Sequence, residues 1–219
     1  MRKLLLLPVL IMALAFTLNA QTEQTDLKAK AILAQVSKKY RSYKVIKTDF
    51  TFVLDNQQAK IKETQQGTLF ANANANKFKV EMTNQDLISD GRSQWTYLKE
   101  DKEVQVADVD NSDDAINPAK IFTIYEKGFK YLYTGDVKSG NKVYQMIDLS
   151  PLDNKKSFFK IRLTIDKVAK QISNVVIFDK NGNKYTYQIK SFVPNVKVPE
   201  STFAFDAKKY PGVEVVDLR

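Results

Sequence analysis

Residues 159–189 read FKIRLTIDKVAKQISNVVIFDKNGNKYTYQI, and their hydrophobicity alternates with a period of two. Phe159, Ile161, Leu163 and Ile165 share one face of a first run, Ile172, Val176 and Phe178 one face of a second, and Tyr185, Tyr187 and Ile189 one face of a third. That period belongs to strands with one buried face. Asn181-Gly182 separates the last two runs and suits the positive φ of a tight hairpin. Connections this short force antiparallel neighbours.

Outward from this stretch the same period recurs in Phe50, Phe52 and Leu54, in Phe78, Val80 and Met82, and in Trp95 and Tyr97. It continues in Val104 and Val106, in Tyr131 and Tyr133, and in Val143, Ile147 and Leu149 around Gln145. Asp90-Gly91 and Ser139-Gly140-Asn141 supply further turns. The pattern predicts about eleven strands. Two segments depart from it. From Asp26 to about Tyr43, residues Leu27, Ile32, Leu33, Val36, Tyr40 and Tyr43 recur at helical spacing, with Asp26 as cap. Asn117 as cap, Pro118 at the first helical position, the stripe Ile121, Phe122, Ile124 and Tyr125, and Gly128 past the end predict a second, short helix over 118–127. The class is mainly β with helices. A sheet this long must curl, and the two helices are the available cover for its concave apolar face.

Composition limits the chemistry. The 219 residues include no His and no Cys, which excludes a Ser-His-Asp triad, a thiol nucleophile, haem or iron–sulfur ligation and an ordinary zinc site. The acidic stretch Asp108, Asp110, Asp113 and Asp114 fails as a calcium loop, because Asp113 stands at the sharp-turn glycine position and Ala119 where a bidentate Glu would close it. No metal and no cofactor is expected. Asp86, Asp90, Asp101 and Glu103 leave a carboxylate-dependent hydrolase open, although nothing sets them apart from turn residues.

Arg2 and Lys3 before the apolar run Leu4–Leu18, followed by Asn19-Ala20, read as a signal peptide over residues 1–20 cleaved near Ala20. Residues 21–219 then form a single exported domain. The formal charge of +9 comes from scattered basic residues, mostly Lys, which reads as a solvated surface or as attraction to anionic membranes. Nucleic acid is not an expected partner. The 13 Phe and 10 Tyr on strand faces either fill a core or line an apolar cavity, and an inert, filled β-protein stays open on this evidence.

The segment Leu87–Tyr97, LISDGRSQWTY, resembles the periplasmic outer-membrane lipoprotein carriers, the LolA-like family. Thr25-Asp26-Leu27-Lys28 is similar to the start of that family's first helix, and Asp49-Phe50-Thr51, Gly67-Thr68-Leu69-Phe70 and Phe78–Met82 to its first three strands. Asn117-Pro118 falls where its lid begins, and Phe203-Ala204-Phe205 with Pro211–Val215 resembles its ending. The resemblance implies an unclosed antiparallel half-barrel of about eleven strands with a helical lid. It also implies a carrier without enzymatic activity that shuttles acylated lipoproteins from an inner-membrane ABC transporter to an outer-membrane acceptor, acting as a monomer. The alternative is the same fold carrying another lipid, glycolipid or pigment precursor, or sensing envelope stress.

Carried over from the family, the acyl cavity would be lined on the sheet side by Phe50, Phe52, Leu69, Phe78, Val80, Met82, Trp95 and Tyr97. Leu33, Val36, Ile121, Phe122, Ile124 and Tyr125 would line the helical side. Family members place an Arg before the third strand, where it holds the lid shut; here the loop reads ANANANK, residues 71–77. Asn72, Asn74 and Lys77 are the substitutes this loop offers, none with the planar five-donor fork of guanidinium.

Overall fold

The structure, a computed structural model, describes residues 26–109 and 117–219. The expected signal peptide and Asp110, Asp113 and Asp114 lie outside the described residues. Helix α1 spans Leu27–Arg41 and is capped by Asp26, whose Oδ1 accepts from the N–H groups of Lys28 (2.7 Å) and Ala29 (3.1 Å). These donors have no partner within the first turn. Ala29, Ile32, Leu33, Val36 and Tyr40 form its buried stripe, and Lys38, Lys39 and Arg41 occupy the last turn, where cations favour the helix dipole. The helix stops two residues short of Tyr43, which packs edge-on against Tyr40.

Two meanders build one sheet. The first comprises β1 (Ile46–Asn56), β2 (Ile61–Asn72), β3 (Lys77–Met82), β4 (Gln85–Ser89), β5 (Ser93–Leu98) and β6 (Glu103–Asp108). The second comprises β7 (Phe129–Ser139), β8 (Lys142–Pro151), β9 (Phe158–Asp166), β10 (Gln171–Asp179) and β11 (Lys184–Ile189). β1 pairs with β11 and joins them. Two short strands bring the sheet to 13: β12 (Val193–Pro194) beside the start of β1, and β13 (Glu214–Asp217) beside β6. β13 runs parallel to its neighbour, so the expectation of wholly antiparallel pairing holds for β1 to β12 and fails at the last strand. β7 and β13 end the strand order without pairing to each other, leaving the half-barrel unclosed. Asp26 blunts the β7 edge: its N–H donates to Tyr131 O (3.1 Å) and its Oδ2 accepts from Tyr133 N–H (3.0 Å).

Bulges correct the alternation read from residues 159–178. Phe158 pairs with Asp179 and Lys160 with Phe178, so Phe159 is the extra residue of a bulge; it is 52% exposed while Phe158 is 4% exposed. Ser173 is the extra residue of a second bulge, and the inward set becomes Ile172, Val175 and Ile177 rather than Ile172, Val176 and Phe178. One inserted residue reverses every side chain beyond it.

The second predicted helix is also corrected. The lid segment, residues 117–128, contains two 3-10 turns, Pro118–Lys120 and Ile124–Glu126, instead of one helix. Asn117 caps the first, its Oδ1 accepting from Ala119 N–H at 2.9 Å. Thr123 (φ −130°, ψ 6°) interrupts the path. Ile, Phe, Thr and Ile in succession are weak helix formers, and so short a segment gains little from propagation.

Cross-strand register sorts the two faces. Phe50 stands opposite Gly67, Gly67 opposite Met82, Leu69 opposite Val80 and Ala71 opposite Phe78, all on the concave side. A Cβ at Gly67 would lie 2.6 Å from the Phe50 ring, so the glycine makes room for that ring. Trp95 stands opposite Ile88 and Val106, and Tyr97 opposite Asp86 and Val104; Ile88 in turn stands opposite Lys79, the neighbour of Phe78. Trp95 and Tyr97 therefore lie on the convex face. A strap formed by residues 193–219 covers this face at Tyr97, which meets Phe205 and Tyr210 at 6.2 and 4.8 Å between centroids, and Phe203 is buried.

Candidate functional site

The concave face carries the main apolar cluster. Phe50, Leu69, Phe78 and Val80 of the first meander, Ile147, Leu149, Ile161, Leu163 and Ile165 of the second, Leu33 and Val36 of α1, and Ile121, Phe122 and Tyr125 of the lid pack together. Phe52, Met82 and Ile124 lie half-buried at its margin. Twelve of the fourteen residues expected at the site thus meet in one place, and Trp95 and Tyr97 do not, because the register turns them outward.

Between lid, α1 and sheet a cleft of about 540 Å³ remains, within the range of small-ligand sites. Its apolar walls include Tyr40, Ile46, Phe122, Phe129 and Phe158; its rim includes Arg41, Asn74, Lys120, Lys127 and Lys156. Aromatic contacts hold the lid over it. Tyr40 stacks on Phe122 with centroids 4.9 Å apart, and Phe192 meets both rings edge-on at 5.5 and 5.8 Å. Tyr40 OH accepts from Ile172 N–H at 2.9 Å, beside the Ser173 bulge. Burial pushes the phenols of Tyr40 and Tyr125 well above their ordinary value of 10.0, and that of Tyr187 on β11 up to about 12.

Few polar ties connect the lid to its surroundings among the described residues. Arg41 at the end of α1 makes a two-pronged ion pair with Glu126, with Nε to Oε1 at 2.9 Å. Ser37 Oγ donates to Tyr125 OH (3.3 Å), and Tyr131 OH to the Tyr125 carbonyl (2.7 Å). The loop before β3 reaches the lid through Asn76, whose Oδ1 accepts from Asn117 Nδ2 at 2.9 Å. This corrects the expected latch set: Asn72 instead caps the 3-10 turn Ala73–Ala75, Lys77 pairs with Glu200 of the strap at 2.6 Å, and Asn74 lines the cleft. Asn76 adopts a left-handed backbone (φ 56°), which Asn tolerates well. Gly91 (φ 94°) passes beneath this loop, where a Cβ would meet Ala75 O at 2.7 Å. The Ser89-Asp90-Gly91 motif is accordingly structural: Asp90 Oδ1 accepts from the N–H groups of Arg92 and Ser93, and Ser89 Oγ from Gly91 N–H.

Sequence reasoning missed Arg41, Asn76, Phe129 and Phe158. Arg41 ends the helix motif, but its partner is distant in the chain; Phe158 was hidden by the bulge beside it. Among the described residues no group of His, Cys, Asp or Glu could hold a metal ion, and no helix is long and apolar enough to cross a membrane.

Among solved structures the fold resembles an uncharacterized conserved protein from Thermus thermophilus, 16% identical, with a TM-score of 0.53 over 87% of this chain and 99% of that one. A LolA superfamily protein from Nitrosomonas europaea (9% identity, TM-score 0.44, 81% and 97% covered) and the Mycobacterium tuberculosis lipoprotein LppX (10%, 0.49, 78% and 98%) are also similar. No curated protein matches the chain in sequence. The family described as "Outer membrane lipoprotein carrier protein LolA" matches residues 41–206, which hold every strand from β1 to β12, the lid and the first half of the strap, and the chain belongs to that family.

Proposed function

We propose that this protein is an exported, periplasmic carrier that binds the acyl chains of lipoproteins between its concave face and its lid, and performs no covalent chemistry. The observation that carries this reading is a continuous apolar face whose cover, among the described residues, is a lid tied down by one ion pair at the surface and a few hydrogen bonds. Each methylene removed from water is worth about 0.8 kcal/mol, so a roughly 15-carbon chain left in water costs on the order of 12 kcal/mol. A lipoprotein needs apolar shelter to cross an aqueous space.

A rigid open cavity would hold such a chain too firmly to deliver it. Here the lid and α1 occupy the space when no cargo is bound, and displacing Phe122 and Ile121 from the sheet subtracts from binding. Half-buried Met82 at the margin of the cluster adapts to chains of differing shape. By family analogy the cargo arrives from an inner-membrane ABC transporter and leaves to an outer-membrane acceptor.

The test is native mass spectrometry of the protein purified from its own periplasm without detergent. The expected result is an adduct with the mass of an acylated lipoprotein. A small lipid or pigment adduct would instead establish a relative with another ligand. A bare chain that also fails to bind a polarity-sensitive apolar dye would overturn the carrier reading.

A further inference from the structure

On β8 the inward face reads Gln145, Ile147, Leu149, a carboxamide where the alternation calls for hydrocarbon. Gln145 is as deeply placed as its apolar neighbours, at 5% exposure. Ile165 of β9 and Asp136 of β7 stand opposite it. Helix α1 passes above: Asp26 at its start is bonded to Tyr131 and Tyr133 of β7, and Tyr40 near its end accepts from Ile172 of β10, with β8 and β9 between these anchors. The stripe that the helix buries, Ala29, Ile32, Leu33 and Val36, offers only carbon, and its backbone N–H groups are spent within the helix or on Asp26. Asp136 is taken up by the Tyr133 hydroxyl and Lys167.

Gln145 Oε1 is fully enclosed and meets no hydrogen-bond donor among the described residues. Other buried polar side chains of the sheet do have partners. Thr48 Oγ1 donates to Ser191 O (2.6 Å), Ser89 Oγ accepts from Gly91 N–H (3.1 Å), Asp86 pairs with Lys99 (2.8 Å), and Asp166 Oδ1 accepts from the N–H groups of Val168 and Ala169. An enclosed carbonyl without a donor costs stability that a hydrocarbon of the same shape would not, and it calls for a partner from outside the resting fold.

We propose that Gln145 is the polar anchor of the acyl site: with α1 lifted, its Oε1 accepts a hydrogen bond from an amide N–H at the head of the cargo's acyl chain, and the protein thereby selects N-acyl over O-acyl groups. This rests on the carrier reading and goes further, naming the linkage that is recognised and the residue that reads it. The chain then runs along Ile147 and Leu149 toward Phe129, which borders the cleft opposite Pro151. An ester head brings no donor and leaves Oε1 unpaired, so the wrong linkage is penalised inside the site rather than merely unrewarded.

The experiment compares N-methyldodecanamide with methyl dodecanoate, single chains of equal length that differ by N–H against O, in displacing an apolar dye from the mature protein. The amide-to-ester affinity ratio should fall about tenfold from wild type to Gln145→Met, the scale of one hydrogen bond, with affinity for the ester not reduced. Gln145→Leu, of different shape, should repeat the fall. Both variants should melt at or above the wild-type temperature, because an unpaired carbonyl has been removed. A ratio unchanged in both would overturn the anchor and leave the carrier reading standing. Melting lowered by more than about 5 °C in both, or failure of both to fold, would overturn it too, by showing that the carboxamide supports the resting fold. Failure of both lipids to displace the dye from the wild type would overturn the carrier reading together with the anchor.

Discussion

At the end of α1 the Arg41 guanidinium closes two-pronged on the carboxylate of Glu126 in the lid. The loop of residues 71–77 adds the neutral contact of Asn76 with Asn117. Exposed ion pairs contribute little to global stability, so the pair acts on the lid alone. Arg41→Ala should speed amide exchange across residues 117–128 by up to roughly fivefold and leave exchange in β9 and β10 unchanged. Hydrogen-exchange mass spectrometry reads both, and equal rates in the lid would show that the aromatic stack of Tyr40, Phe122 and Phe192 closes it unaided. This site was only partly legible in the sequence. Leu33, Val36, Phe78 and Phe122 announce themselves by period and spacing, whereas Arg41 meets a partner 85 residues away, a distance no local pattern encodes.

At the scale of elements, what the sequence revealed was period, and what it hid was parity. Nine of the strands from β1 to β11 follow from alternation and turn residues, including the hairpin at Asn181-Gly182, whereas β2 and β4 were visible only as segments resembling the family. The bulges at Phe159 and Ser173 could not be read, because one extra residue leaves composition untouched while reversing the side chains after it. Trp95 and Tyr97 went astray for a related reason: their alternation is perfect, but period two does not say which face is concave. The strap of residues 193–219 answers that, since it gives the convex side of β4 to β6 an apolar cover of its own. Phe203, buried there and outside the concave cluster, separates the two regions experimentally. Phe203→Ala should cost about 3–5 kcal/mol in denaturant unfolding, with affinity for an apolar dye unchanged in the folded protein. A parallel loss of dye binding would mean that the strap supports the cleft as well.

The whole molecule has its charge-dependent stability at the two ends of the pH scale. Hydrogen bonds from the backbone N–H groups of Ala29, Tyr133 and Lys28 hold the Asp26 carboxyl below its ordinary value of 3.8, and Ser191 and Thr68 do the same for Asp49. A depressed folded-state value gives stability that is complete above the unfolded value and is lost as pH falls through the folded one. Tyr40, Tyr125 and Tyr187 are raised by burial, so their contribution is complete below 10.0 and is lost as pH rises beyond it. With no His and no Cys in the chain, no side chain has its ordinary value between. The melting temperature should be flat from about pH 5 to pH 9 and fall on both sides; a slope within that window would reveal a strongly shifted Lys or carboxylate. One more property follows from where the only tryptophan sits. Trp95 lies on the opposite side of the sheet from the cleft. Its emission therefore reports on the convex face and not on the cleft. A brominated acyl chain bound under the lid should leave the intrinsic fluorescence unquenched, while a mild denaturant that opens the convex face should shift it to the red before the helical signal is lost.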